Sequence, residues 1–545
     1  MSWRTFAAAV VCGTAVAQLP PVQVPARNPL TAAKIVLGKI LFWEEQLSSD
    51  DSVACGTCHV PEAGGTDPRG EAIHPGLDGL WATDDDIRGT RGVVRQAGNG
   101  DFTPDATFGL RVQVTRRYAG TTHGAAYHDS LFWDGRASPE FTDPETNQAL
   151  LPFGAALESQ ALGPILSPVE MGHEGRTWQD VRSKLQNVEP MALARNLTPD
   201  VQAALLQHAT YPALFHAAFG DPAITASRIA FAIASYERTL IPDQTPWDRF
   251  MAGQTNALTA NQQAGWVLFQ GAARCVACHL DPLFQDDQFH NLGLRSKSED
   301  RGVGPIHGVP SEDGSFKTPT LRNAGLRLRL FHNGQSGPLA DPSQVTDPAS
   351  VLNIYLNGGG VDRGNLDPFL TNLAQLGVTV ADLQLVLDFV QNGLTDPRAA
   401  QGLPPFDHPQ LRSMSEPPPL VFGPALAGAS EPFFVDTVPA WPGNHDWKLG
   451  LVAGDGSTMA CIGYGLDPMP AGLSFGGVPW HVQVLDARLV LLAGPAGAPG
   501  HATWRLAVPD DPNLLHYDFY TQLWALDALA PHGISTSRGT RFRVR

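Results

Sequence analysis

Apolar residues recur at helical spacing in several stretches separated by polar, Gly- and Pro-rich links. Ile35, Leu37, Leu41 and Phe42 form one stripe on a helix that Thr31 caps and that runs to about Trp43. A second helix is expected near 261–270, carrying Trp266, Leu268 and Phe269. Others are expected at 177–185, 199–208, 225–239 and 380–392, the last with Leu383, Val386, Leu387 and Val390 on one face. The period changes near residue 402. "PPFDHPQLRSMSEPPPLVFGP" has the composition of a linker. Beyond it "WKLGLVA", "WHVQVLDARLVLLA", "TWRLAV", "LHYDFYTQLWAL" and "TRFRVR" alternate at the strand period between Gly/Pro turns. The pattern predicts a mainly α chain that ends in a small all-β sandwich.

The first two helices lead into the same short motif, Cys55-Gly56-Thr57-Cys58-His59 and Cys275-Val276-Ala277-Cys278-His279. Two cysteines three apart, followed at once by histidine, read as c-type haem attachment. The thiols bond the porphyrin's two vinyl edges, and the adjacent imidazole reaches the iron. A zinc half-site would need two more ligands at similar spacing, and none follows. "LF", a link and CxxCH occur twice, so the chain duplicates a helix-plus-haem unit. The organisation expected is a leader at 1–17, two cytochrome c-like helical domains at 28–245 and 255–400, a Pro-rich linker at 401–424 and a β-sandwich-like domain at 425–545. Two covalently bound c-type haems follow, with His59 and His279 as iron ligands.

Charge and the N-terminus narrow the setting. The net charge of -17 argues against nucleic acid and permits docking to a basic electron carrier. "MSWRTFAAAVVCGTAVAQ" reads as a secretory signal cleaved after Ala17. Export suits c-type haem, so the expected location is periplasmic or secreted, with no membrane span. Cys12 would leave with the leader, and Cys461 is left as a buried free thiol. Residues 60–110 form a Gly/Asp-rich excursion. Asp78, Asp84, Asp85 and Asp86 could bind calcium, but the spacing fits no EF-hand. A solvated acidic loop is the expectation.

"LGKILFWEEQLS", "CGTCH", "LFWDGRAS", "SQALGPILSPVEMG", "CVACH", "FHNLGL" and "FKTPTLRN", followed by "FHNG", stand in one order over 28–400. In these motifs the chain resembles the bacterial di-haem cytochrome c peroxidase and MauG family. The resemblance implies a peroxide-reacting haem in the first domain and an electron-relay haem in the second. It makes Glu170 the distal acid, Gln160 the distal glutamine, Pro164 the pocket proline and Trp133 the residue between the haems. His332 matches a histidine near the haems. The chemistry agrees: peroxide O–O cleavage needs one proton moved from the near to the far oxygen, and a carboxylate can carry it.

A relay haem needs a sixth ligand. No Met lies between His279 and Met414, so the side-chain candidates in the second domain are His290, His307, His332 and Tyr355. The resemblance favours Tyr355, since MauG-like members hold Tyr where the peroxidases hold Met. A phenolate would favour higher oxidation states. His74 lies near where some peroxidases keep a removable distal histidine. The family's interdomain calcium site is disrupted, because Tyr118 replaces an Asn and Arg327 and Arg329 replace Thr and Pro. Calcium is therefore the weakest cofactor the resemblance implies. An insertion between Trp133 and Gln160 should alter the pocket rim. Partners expected are hydrogen peroxide and a small cytochrome c or cupredoxin donor, and a homodimer is allowed. The alternatives are a MauG-like oxidase of an organic or protein substrate and a non-catalytic electron-transfer cytochrome.

Overall fold

A computed structural model describes residues 19–545 apart from 71, 82, 84, 415–418, 429, 437–439, 496, 497 and 545. The expected leader, with Cys12, lies outside the described residues. About 28% of the chain is helix and 19% strand, so helix leads. Much of the chain around the CxxCH motifs is turn. The helices begin where their caps predict. Thr31 accepts from Lys34 N at the start of Ala32–Phe42. Thr259 and Gln262 form a reciprocal capping box on Ala260–Gln270, as Thr379 and Asp382 do on Val380–Asp388. The latter continues as a wider π turn through Phe389–Gly393.

Each CxxCH motif is preceded by a helix that crosses the last long helix of its own unit. Ala32–Phe42 packs on Ala226–Glu237, and Ala260–Gln270 on Val380–Asp388. Glycine sits at both crossings. A Cβ on Gly38 would lie 1.9 Å from Ala232 O, and one on Gly265 would lie 2.1 Å from Leu385 O. The duplication read from "LF…CxxCH" thus extends to the contact that sets helix separation. Around the first crossing Leu37, Leu41, Phe42, Ile229 and Ile233 form a core. Around the second, Trp247, Trp266, Phe269, Phe284 and Phe389 form another.

The segment 395–413, which takes in the start of the linker expected at 401–424, runs back over the first unit. Phe406 and Leu411 belong to its core. His408 stacks on Trp43 with centroids 4.1 Å apart, and Lys39 pairs with Asp407. The chain also enters and leaves the second unit at one point, where Asp396 Oδ2 accepts from Gln244 N at 2.9 Å and Arg398 pairs with Asp243.

Two β-elements differ from expectation. The 60–110 excursion folds as hairpins, Ala72–His74 with Ile87–Gly89 and Arg91–Val94 with Val112–Val114. Its acid groups serve turns: Asp85 accepts from Leu77 N at 2.7 Å and Thr83 Oγ1 at 2.8 Å, while Asp84 lies outside the described residues. His74 packs edge-on against Phe108 within this region. The insertion after Trp133 holds another hairpin, Phe141–Thr142 with Ala149–Leu151.

The C-terminal region has a small hairpin, Ser474–Phe475 with Val478–Pro479, and two main antiparallel sheets. One comprises Phe433–Asp436, Trp447–Asp455 and Pro499–Leu506. The other centres on Met459–Gly465 and Asp518–Leu526. Trp447, Leu449 and Leu451 from the first meet Ile462, Leu523 and Phe542 from the second. A further small core joins Val435 and Val452 of this region to Val94, Phe102 and Leu110 of the 91–114 hairpin. No helix among the described residues is long and apolar enough to cross a membrane.

Candidate haem centres

The two CxxCH motifs have a common geometry. Cys55–Cys58 is a single helical turn, and Cys275–Ala277 a 3-10 turn. His59 Nδ1 lies 3.1 Å from Gly65 O, and His279 Nδ1 lies 3.1 Å from Phe284 O. A carbonyl only accepts, so Nδ1 carries the proton in both rings. The lone pair is left on Nε2, the arrangement that orients a metal-binding histidine. Burial lowers both imidazole pKa values, His279's to about 4, so both stay neutral. The four thiols are unpaired. Burial pushes Cys58 and Cys275 up to about 12, which disfavours thiolates and suits the neutral thioethers of attached haem. The residues therefore fit two c-type haems.

A cavity of about 280 Å³ opens beside Cys275, Cys278 and His279 and is walled by Leu330, Leu352 and Val386. Tyr355, from the short helix Val351–Leu356, lines it as well. Burial raises its pKa, with the Cys278 and Cys275 sulfurs adding to the effect. His332 lines the same cavity, stacks on Phe316 with centroids 3.5 Å apart, and keeps a buried Nε2 with no acceptor. Burial holds its pKa near 3. Trp133 faces His332 edge-on at 6.4 Å and donates from Nε1 to Tyr118 O at 2.8 Å. His290 is gripped by Asp286 at 2.8 Å and Asp367 at 2.6 Å. Burial opposes its charge, but bonds to Asp286, Cys278 and Asp367 raise its pKa to about 11. It is thus a fixed cation at the motif's edge. His307 is drawn instead to Glu312.

The residues expected at the first centre lie on three segments. Gln160 and Pro164 lie one turn apart on Ala156–Leu166, a helix that sequence periodicity did not reveal. Pro164 has no N–H, so Gln160's carbonyl lacks its helical donor there. Glu170 follows in the turn after this helix and is half-buried. Burial raises its pKa, while Ser167 and Arg136 oppose the rise. Its charge also acts on the thiols of Cys55 and Cys58, so the carboxyl lies within electrostatic reach of the first motif. Arg136, whose charge acts on Glu170, and Trp133, which lines the cavity beside the second motif, belong to one segment.

Sequence reasoning missed Glu237. Glu237 is buried, with its pKa raised to about 8 by burial, and acts on Cys55. In sequence it is one more polar residue on a helix. Tyr118 donates its hydroxyl proton to Asp67 O and its N–H to His332 O. Arg327 is 5% exposed and donates to Thr320 O and Arg322 O. The places where calcium ligands would stand thus hold a phenol and guanidinium groups. Among the described residues, the single cluster of three Cys, His or acid ligands close enough to share an ion is Cys278, Asp286 and His290. Its cysteine belongs to the haem motif.

Two covalent haem cradles in one chain define a di-haem c-type cytochrome, and the comparisons agree. The family model for di-haem cytochrome c peroxidase matches residues 32–256. The methylamine utilization protein MauG of Methylophilus methylotrophus is 30% identical over 329 residues, 58% of this chain and 76% of that protein. The cytochrome-c peroxidase IdrP1 of Denitromonas iodatirespirans is 28% identical over 414 residues, covering 70% and 86%. A solved MauG-like protein associated with microbial copper homeostasis aligns over 71% of this chain and 96% of its own, at 22% identity and a TM-score of 0.47. The chain belongs to the di-haem cytochrome c peroxidase and MauG family. It is an oxidoreductase of the cytochrome c peroxidase type.

Proposed function

We propose that the chain reduces hydrogen peroxide, using electrons from a small cytochrome c or cupredoxin, in the periplasm or outside the cell. The observation that carries this is Glu170, a half-buried carboxyl with raised pKa within electrostatic reach of the Cys55–Cys58 motif. When bound through Cys55, Cys58 and His59, the first haem supplies the metal centre that peroxide chemistry requires. Glu170 accepts the proton from the near oxygen of the peroxide and delivers it to the far oxygen, which leaves as water. Its raised pKa brings proton exchange closer to neutrality. Gln160 holds the peroxide by side-chain hydrogen bonding, and Pro164 shapes the helix beneath it. Cys275, Cys278 and His279 would hold the second haem, and Tyr355, which lines the same cavity, would supply it with a further oxygen ligand. Trp133 would couple the two centres, with His332 beside it. Two electrons and two protons convert each peroxide to two waters.

The test is Glu170→Gln in the loaded protein, assayed for peroxide reduction with a reduced small cytochrome. A loss of roughly 100-fold or more, with both haems retained, supports the role. Unchanged turnover would remove it. Absence of peroxide turnover in the loaded wild type as well would leave the electron-transfer cytochrome. Tyr355 favours a second reading, MauG-like oxidation of an organic or protein substrate. Electron paramagnetic resonance after stoichiometric peroxide separates the two: an oxidised state that persists without donor supports the oxidase.

A further inference from the structure

The C-terminal β-region reaches the turn that carries Glu170 through one hairpin. Two backbone hydrogen bonds bracket that residue: Val93 N donates to Val169 O at 2.8 Å, and Glu174 N donates to Gln96 O at 2.9 Å. Gln113 Nε2 adds a bond to Pro168 O at 2.8 Å. Val93, Gln96 and Gln113 all belong to the 91–114 hairpin. Its far end is gripped by the β-region, where Phe102 N donates to Thr503 Oγ1 at 2.8 Å and Arg505 pairs with Asp101 at 2.8 Å.

Lys448 ties the two ends together. It is 5% exposed, and its ammonium donates to Gln96 Oε1 at 2.9 Å and Gly100 O at 2.7 Å. The other end of the Gln96 amide donates to Asp50 Oδ2 at 2.8 Å. Gln96, itself 1% exposed, therefore lies between a cation and an anion that align its dipole. An ammonium is strongly hydrated, and burying one without a direct carboxylate partner is costly. A solubility tag or a tethered binding module would not need that arrangement.

We propose that the β-region is a positioning element for the first centre, and that Lys448, acting through Gln96 and the 91–114 hairpin, fixes where Glu170 stands. Lys448 is a positioning residue, with no contact to peroxide. The inference rests on Glu170 being the proton carrier. It explains why the excursion after the first CxxCH motif is structured: it is the lever between the β-region and the pocket.

The test uses full-length loaded protein with Lys448→Met and Lys448→Arg, and Thr503→Val as a milder change at the same interface. Lys448→Met should lower kcat/KM for peroxide roughly tenfold to 100-fold, the range for a displaced catalytic group. It should also move the acid limb of the pH profile and speed amide exchange at Val93 and Glu174, while the second haem's spectrum stays as in wild type. Lys448→Arg should recover part of the loss. If Lys448→Met fails to load or fold, Thr503→Val must show the same shifts at smaller size. A folded Lys448→Met, or in its place Thr503→Val, with wild-type kcat/KM and pH profile overturns the inference. Glu170→Gln run alongside separates the two readings. If it stays active, the proton-carrier role fails. If it is inactive while the interface variants match wild type, only the positioning role fails.

Discussion

Gly38→Ala offers a test in which the expected sign is the reverse of the usual one. In an unobstructed helix, replacing Gly by Ala gains about 1 kcal/mol. At Gly38 the new Cβ would stand 1.9 Å from Ala232 O, 2.6 Å from Ala232 C and 3.0 Å from Tyr236 Cβ. Even a weak C–H···O contact needs about 3.3 Å or more. The obstacle is backbone, so no rotamer change relieves it and the two helices must part. Overpacking of this kind costs about 1–3 kcal/mol, and this clash belongs at or above the upper end. A net loss of about 2 kcal/mol or more remains after the propensity gain. Gly265→Ala should behave alike in the second unit, where Leu385 O is 2.1 Å away. Gly163→Ala is the control, since its nearest neighbour, Phe132 Cζ, is 3.7 Å away and Ala there should be neutral or stabilising. The assay is denaturant unfolding of the loaded protein, followed by haem absorbance and by the paramagnetic signal of each haem. Gly38→Ala should loosen the first centre before the second, and Gly265→Ala the reverse. If both variants were as stable as Gly163→Ala, the close helix approach, and with it the structural duplication, would be wrong.

Three other outcomes follow from the sites. Glu170 works as a carboxylate and its pKa lies above the ordinary carboxylate value. Peroxide turnover should therefore fall as pH drops through that raised pKa, and Glu170→Gln should abolish the limb; a pH–rate series on both proteins checks it. Tyr355→Met should raise the second haem's potential by on the order of 0.1 V, within the roughly 0.8 V range that axial ligands span; potentiometric titration that finds no change would remove Tyr355 as a ligand. Prolonged chelation with EGTA should leave turnover and haem spectra unchanged, because Tyr118, Arg327 and Arg329 offer calcium no acidic ligand; activity lost on chelation and restored by calcium would contradict this.

The parts legible in sequence are those set by local chemistry. Thr31, Thr259 and Thr379 announce their helices because capping acts within one turn. The CxxCH motifs fix their own geometry, down to the Nδ1–carbonyl bonds of His59 and His279. The strands after 440 fall between the Gly/Pro turns as expected, although Trp447–Asp455 is buried along nearly its whole length rather than on alternate residues. What escaped depends on distant partners. Ala156–Leu166 was hidden because its interior proline and mixed faces blur the helical period. The hairpins within 60–110 have few apolar residues of their own, and Val94, Phe102 and Leu110 find their core only against Val435 and Val452. Phe406 and Leu411 sit among prolines, which mask how deeply they are buried. Lys448 carries no signal of its burial, because only the fold encloses it.

The pinch at Gln244–Asp396 has a consequence for ancestry. The second unit leaves the first unit's chain path and rejoins it at the same place, with Asp243 and Arg398 clasped across the gap. A segment whose ends already meet can be gained or lost in a single genetic event without rerouting its host. The strap at 395–413 would then be the original tail of a one-haem protein, and the second haem unit a copy inserted ahead of it.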